Sequence, residues 1–185
     1  MSDSEMRSTL ARPASTLDLT PGEQLLFEKA SKGPPFDQLP EEAFDNLLVV
    51  STALSPSVIE QQITAHGHDP RSVGVVPITA TDYRYDGPLW VSQRVEPSDL
   101  TGISIEVSKG FGYLEPSQGW LTFDSISTLL MYAEEDRVYR LLAWLASNSR
   151  ENEVRSVFSL VRSMLADESY QRFRGLWDDV VSETG

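Results

Sequence analysis

The chain has 185 residues, 40% of them hydrophobic, which suits one ordinary domain with a real core and is too many for a disordered chain. It contains no cysteine, which excludes disulfides, thiolate catalysis and cysteine-bound metals. Lys plus Arg number 15 against 28 Asp plus Glu, and the resulting net charge of -13 repels polyanions such as DNA.

The lysines are Lys29, Lys32 and Lys109 alone. An acidic, lysine-poor surface suits a protein working in high salt, where carboxylates hold hydration and screening weakens their mutual repulsion. No run of about 18 apolar residues is present, so no membrane span is expected. Met1 to Thr20 lacks the basic start and apolar stretch of a secretory signal. The expected setting is a salty cytoplasm.

In chain order, residues 1–20 are small, polar and poorly patterned, and a disordered tail is expected. Residues 21–44 read as a short helical lead-in. Thr20 would cap a helix with Pro21 at its first position and Leu25, Leu26, Lys29 and Ala30 along it. Gly33, Pro34 and Pro35 would stop it, and a second turn over Glu41–Phe44 follows Pro40.

The main domain is expected over 45–182. Asn46–Thr52, reading NLLVVST, is a nearly continuous apolar run, as in a strand buried on both faces of a parallel sheet. Ser55 and Pro56 then open a helix with Val58, Ile59 and Ile63 on its apolar face and Gly67 at its end. Ser72–Ile78, reading SVGVVPI, completes a strand–helix–strand unit. Thr79–Gly87 reads as a loop and Leu89–Val95 as a third, shorter strand.

Ser98–Leu114 supports two readings. Ile103, Ile105 and Val107 alternate as in a strand, whereas Leu100, Ile103, Val107 and Phe111 follow a helix capped by Ser98 or Asp99. Trp120–Asp124 is a buried strand ending in an acid. Glu134–Asn148 is the clearest helix. Val138, Leu141, Leu142 and Leu145 share one stripe, and Glu134, Glu135 and Asp136 sit where the helix dipole favours negative charge. Val154–Val161 reads as a final strand, with a helix running on to Leu165 as the alternative. Asp167–Val181 reads as a last helix with Tyr170, Phe173, Leu176, Trp177 and Val180 facing inward.

The stretch Thr122–Arg150 carries a longer pattern. A buried strand ends in Phe123, Asp124 and Ser125. A turn containing Leu129 and Leu130 follows, and the acids Glu134, Glu135 and Asp136 then open a helix holding Arg137, Arg140 and Leu142. This pattern resembles the Walker B region of the RecA/KaiC superfamily. Together with the NLLVV and VGVV strands and the segment Asp99–Ile103, it resembles a haloarchaeal family of degenerate KaiC-like domains that lacks the P-loop. The resemblance spans roughly residues 45 to 181, the usual scale of one domain, and favours a helix over Ser98–Leu114. It implies a three-layer α/β sandwich with a mostly parallel, RecA-like sheet.

The departure from that pattern concerns phosphate. A P-loop reads GxxxxGK[ST] after the first strand, its backbone N–H groups closing round the phosphates and its lysine reaching the β- and γ-phosphates. Taking NLLVVST as that strand, the degenerate P-loop position is Thr52, Ser55 and Pro56. It has no glycine and no lysine, and Pro56 deletes a donor. Phosphoryl transfer depends on electrostatic positioning, so no ATPase activity and no cofactor are expected. Asp124 and Ser125 are then a vestigial Walker B. A lone carboxylate makes a poor Mg²⁺ site without substrate phosphates, and Asp124 is expected to cap the following turn.

The remaining candidates also have plain structural roles. His66, His68 and Asp69 have metal-ligand spacing, but they lie where a helix ends and histidine suits a helix C-terminus, so no metal is expected. No GxSxG elbow accompanies any serine. Arg137, Arg140, Arg150, Arg155, Arg162, Arg172 and Arg174 could form a phosphate patch. Pairing with acids such as Glu134, Asp136 or Glu168 is the expectation. Trp90, Trp120, Trp144 and Trp177 read as core or interface anchors, while Tyr83, Tyr85 and Trp90 flank a polar loop that could form an exposed contact surface.

The resemblance implies a non-enzymatic regulatory or interaction module in signal transduction, binding a protein partner or itself, with nucleic acid and membrane not expected. The alternative is a residual nucleotide or small-ligand site at the strand C-termini.

Overall fold

The computed structural model describes residues 16–183. Their strands form one seven-stranded sheet in the order β4-β3-β2-β5-β6-β1-β7. The strands are β1 (Gln24–Glu28), β2 (Leu47–Ser51), β3 (Val73–Pro77), β4 (Trp90–Val91), β5 (Trp120–Phe123), β6 (Arg155–Leu160) and β7 (Asp179–Ser182). Every neighbouring pair runs parallel. Five α-helices are described: α1 (Pro56–Ala65), α2 (Leu100–Phe111), α3 (Ile126–Tyr132), α4 (Glu135–Glu151) and α5 (Asp167–Arg174).

The central strands are apolar on both faces because helices and loops cover both. One core joins Leu26, Leu48, Val50, Phe123 and Phe158 to Ile103 and Val107 of α2 and to Leu142 and Leu145 of α4. The other joins Leu25, Phe27, Val49, Val75 and Trp120 to Ile59 and Ile63 of α1 and to Phe36 and Phe44. The result is a three-layer α/β sandwich. Burying each such valine or leucine contributes roughly 1.5–3 kcal/mol. Gly110 lets α2 close on the sheet, since a Cβ there would lie 2.6 Å from Leu48.

Several expected elements fall in place. Ser55 caps α1 by accepting from the Val58 N–H, with Pro56 at the first position, and Gly67 follows with φ of 82°. Ser98–Leu114 is a helix whose cap is Asp99. The third strand is short, continued only by a bridge between Ile78 and Val95.

Three segments differ from expectation. The lead-in helix is strand β1. Gln24, Leu25, Leu26 and Phe27 are all buried, and pairing with β6 and β7 gives this short run the two-sided cover that a strand uses and a lone helix would not find. The last helix stops at Arg174, with Gly175 as its C-cap, and the Asp179–Ser182 run pairs with β1 as β7. Val154–Val161 therefore supplies β6 rather than the final strand. The turn after Ser125 is itself a helix, α3, with Ile126 and Leu129 buried.

Of the expected tail, residues 16–20 lie in the structure. Leu17 and Leu19 are buried, and the Leu17 N–H donates to the Gln38 carbonyl at 2.8 Å. The remainder, residues 1–15, lies outside the described residues.

Candidate functional site

Open parallel sheets bind ligands in the crevice beyond the strand C-termini. Here Asp124 follows β5 directly. The register setting Val50 opposite Phe123 brings it beside Ser51 at the end of β2. Its carboxylate accepts from the Ser51 hydroxyl at 2.6 Å, the Thr52 N–H at 3.1 Å and the Ser125 hydroxyl at 3.0 Å. Ser51 Oγ in turn accepts from the N–H groups of Ala53 and Leu54 at 3.1 and 3.2 Å. Burial raises the Asp124 carboxyl above its usual range, opposed by these three donors and by Lys29.

Asp124 therefore does not cap the following turn. Ser125, at the N-cap of α3, makes no side-chain cap bond, and the carboxylate instead clamps the start of the β2 loop. Thr52 Oγ1 lies 3.2 Å from Thr128 Oγ1, which ties the same loop to α3. Ser55 and Pro56 open α1.

The first strand is β1, not β2, so the loop after the first strand is Lys29–Pro35. It holds two of the three lysines in the chain. The Lys29 ammonium donates to the carbonyls of Gly33 and Pro34, both at 3.1 Å, and closes the loop on itself. Burial lowers the Lys29 pKa, partly offset by Glu183, Asp124 and Asp37. Ser159 donates to the same Gly33 carbonyl at 3.2 Å, and the Ala30 N–H is taken by Glu183 at 2.7 Å. Pro34 and Pro35 have no N–H to offer. A single 3-10 turn, Phe36–Gln38, follows in place of a helix N-terminus. The cavity left between this loop, Asp124 and Thr128 is about 10 Å³, room for one water at most. A larger hollow of about 210 Å³ on the outer side of the loop is bordered by Lys29, Lys32, His66, Asp37 and Glu183.

His66 and His68 turn to different partners. His66 lies 2.7 Å from the Gln62 carbonyl through Nδ1 and 2.8 Å from Asp37 through Nε2. These acceptors, the carbonyl first, raise its pKa despite burial. His68 stacks on Phe44 with ring centroids 4.1 Å apart, and Asp69 accepts from the Arg71 N–H. Among the described residues no group of three or more His, Asp or Glu side chains could hold a metal.

The arginines divide. Arg172 pairs with Glu135 at 3.0 Å and Asp136 at 2.6 Å, Arg162 with Asp167 at 2.6 Å, and Arg150 with Asp178 at 3.1 Å. Arg155 donates to the carbonyls of Leu19 and Ser117. Of the expected acids only Asp136 serves, and Arg137, Arg140 and Arg174 make no ion pair among the described residues. Trp120 and Trp177 are core residues, whereas Trp90 and Trp144 are partly exposed. Tyr85 anchors the polar loop internally. Its hydroxyl donates to Glu60 at 2.5 Å and accepts from the Leu89 N–H, and burial with the Glu60 bond pushes its pKa up to about 12.

The Lys29 clasp and the Ser51–Asp124 pair are the features that sequence reasoning misses. Only the adjacency of β2 and β5 would have revealed the second.

A model of a family of unknown function, DUF7504, matches residues 36–183. A search of the curated proteins finds no match. Among solved structures, the KaiC-like protein PH0186 from the hyperthermophilic archaeon Pyrococcus horikoshii OT3 superposes with a TM-score of 0.57 at 11% identity, over 88% of this chain and 72% of that one. The protein of project PH0250 from the same organism gives 0.55 at 11% identity, over 98% and 87%. At that identity the likeness is one of fold alone. The sandwich shares its fold with that KaiC-like protein. No helix among the described residues is long and apolar enough to cross a membrane.

Proposed function

The chain belongs to DUF7504, a family of unknown function, and from that premise we propose that it is a non-enzymatic interaction module built on a KaiC-like fold. It docks a protein partner, or a second copy, in signal transduction within a high-salt haloarchaeal cytoplasm. The net charge of -13 and the three lysines support the saline setting.

One observation carries the non-enzymatic reading. The crevice at the strand C-termini is already filled by the chain's own groups. Lys29, one of the cations nearest to it, is spent on the carbonyls of Gly33 and Pro34, and Asp124 is spent on Ser51, Thr52 and Ser125. A triphosphate entering there would need convergent N–H donors and several free cations, and would meet a single lysine, Lys32, beside the carboxylate of Asp124. Titration calorimetry with ATP and Mg²⁺ in molar KCl tests this. No saturable heat and no phosphate release are expected. Saturable heat that disappears in Asp124→Ala would overturn it.

The second reading is a residual small-ligand site near Thr52, Ser55, Asp124 and Ser125. The hollow of about 210 Å³ includes none of these four residues, but Lys32 lines both it and the small cavity at Asp124, and that shared lysine favours the reading. ATP heat abolished by Lys29→Ala and Lys32→Ala together would select that reading.

A further inference from the structure

Helices α2 and α4 pack side by side over one face of the sheet and leave an open groove of about 260 Å³ between them. Its floor is apolar: Leu100 from α2, and Leu141 and Trp144 from α4. Arg137 and Arg140 stand on one wall. On α4 these residues fall at i, i+3, i+4 and i+7, so the two cations and the apolar pair share one stripe. Trp144 is only partly buried, and both arginines are exposed.

Arg140 is free of an ion pair among the described residues because of a competition. Asp136 is the natural i,i+4 partner of Arg140. Its carboxylate lies 2.6 Å from Arg172 on α5, which also takes Glu135 at 3.0 Å. Among the described residues Arg140 is left with one hydrogen bond, from Nε to the Asp136 carbonyl at 3.4 Å. Among the described residues neither Arg137 nor Arg140 pairs with a carboxylate, so a chain of net charge -13 presents two guanidinium groups beside a partly exposed tryptophan. Arg and Trp are the side chains that most often dominate protein–protein affinity, because each combines apolar area with directional polar contact.

We infer that this groove docks an acidic segment of a partner protein, with an aliphatic or aromatic side chain laid on Leu100, Leu141 and Trp144 and carboxylates on Arg137 and Arg140. The inference rests on the interaction-module reading and says where contact is made. A nucleic acid would bring phosphates against a strongly negative molecule and has no use for the apolar floor. A second copy would bring its own -13. A short acidic segment brings only local charge, complementary to the wall it meets.

The test is a fluorescence titration of the full chain, following tryptophan emission. One probe is a helical peptide repeating Leu and Glu at three- and four-residue spacing, and the other is its Lys-for-Glu counterpart. The Glu peptide is expected to saturate, and the Lys peptide is not. Arg137→Glu with Arg140→Glu should weaken binding about tenfold or more. Both positions are exposed, so circular dichroism should show an unchanged fold; the Gln pair of substitutions gives a milder check. In Trp144→Phe most of the emission change should vanish. Absence of saturation, equal binding of the Lys peptide, or unchanged affinity in the double variant would overturn the proposal. So would a sedimentation-detected dimer that the double variant abolishes, because the groove would then belong to a second copy. ATP is absent from every arm, so failure here leaves the nucleotide result standing, and failure there leaves this one.

Discussion

Glu23 sits just before β1 with one carboxylate oxygen buried and without a hydrogen-bond partner among the described residues. Burial, and then the charges of Asp178, Asp179 and Asp18, raise its pKa above the ordinary 4.5. The folded state thus holds this proton more tightly than the unfolded chain. Ionisation costs stability as pH rises through the folded value, and the cost is absent well below 4.5. Glu23→Gln is expected to raise the melting temperature at neutral pH, with the gain shrinking as pH falls through the window just above 4.5. A calorimetric gain that stays constant with pH would contradict this. Residue roles of a local kind were legible in sequence. Ser55 and Asp99 cap because a short polar side chain before an apolar period has only its own backbone to satisfy. Asp124 was not legible in full, because its partners Ser51 and Thr52 come from a strand distant in sequence.

Helix α2 shows how much a single cap carries at the scale of an element. The Asp99 carboxylate accepts from the Gly102 N–H at 2.8 Å, and a Cβ at Gly102 would lie 2.3 Å from the other carboxylate oxygen. Asp99→Ala is expected to cost about 1 kcal/mol in urea unfolding. Gly102→Ala should also lower stability, because the new methyl displaces the cap. An unchanged urea midpoint in both variants would show that α2 is held by packing alone. Elements with their own periodicity, such as α4 and β2, were legible from that signal. Strands β1 and β7 were not. Gln24–Glu28 follows a Thr–Pro pair that imitates a helix start, and Asp179–Ser182 continues the apolar spacing of α5 past Gly175. What makes both of them strands is pairing across the chain, which no local window contains.

For the whole molecule, the net charge of -13 sets a field that salt should relieve. Like charges on a compact surface repel, and the screening length falls from about 10 Å at 0.1 M to about 3 Å at 1 M salt. The thermal midpoint is expected to rise by several degrees between dilute buffer and molar KCl. A midpoint that falls instead would argue that the ion pairs of Arg172, Arg162 and Arg150 outweigh the repulsion. The three-layer class was legible because doubly covered strands read as unbroken apolar runs. The strand order was not, and it has a consequence for biogenesis. β1 is made before the other strands, yet the two that flank it, β6 and β7, leave the ribosome after all the rest. For most of translation, the nascent chain carries Gln24–Glu28 without either of its native neighbours, an adhesive stretch open to wrong pairing until they arrive.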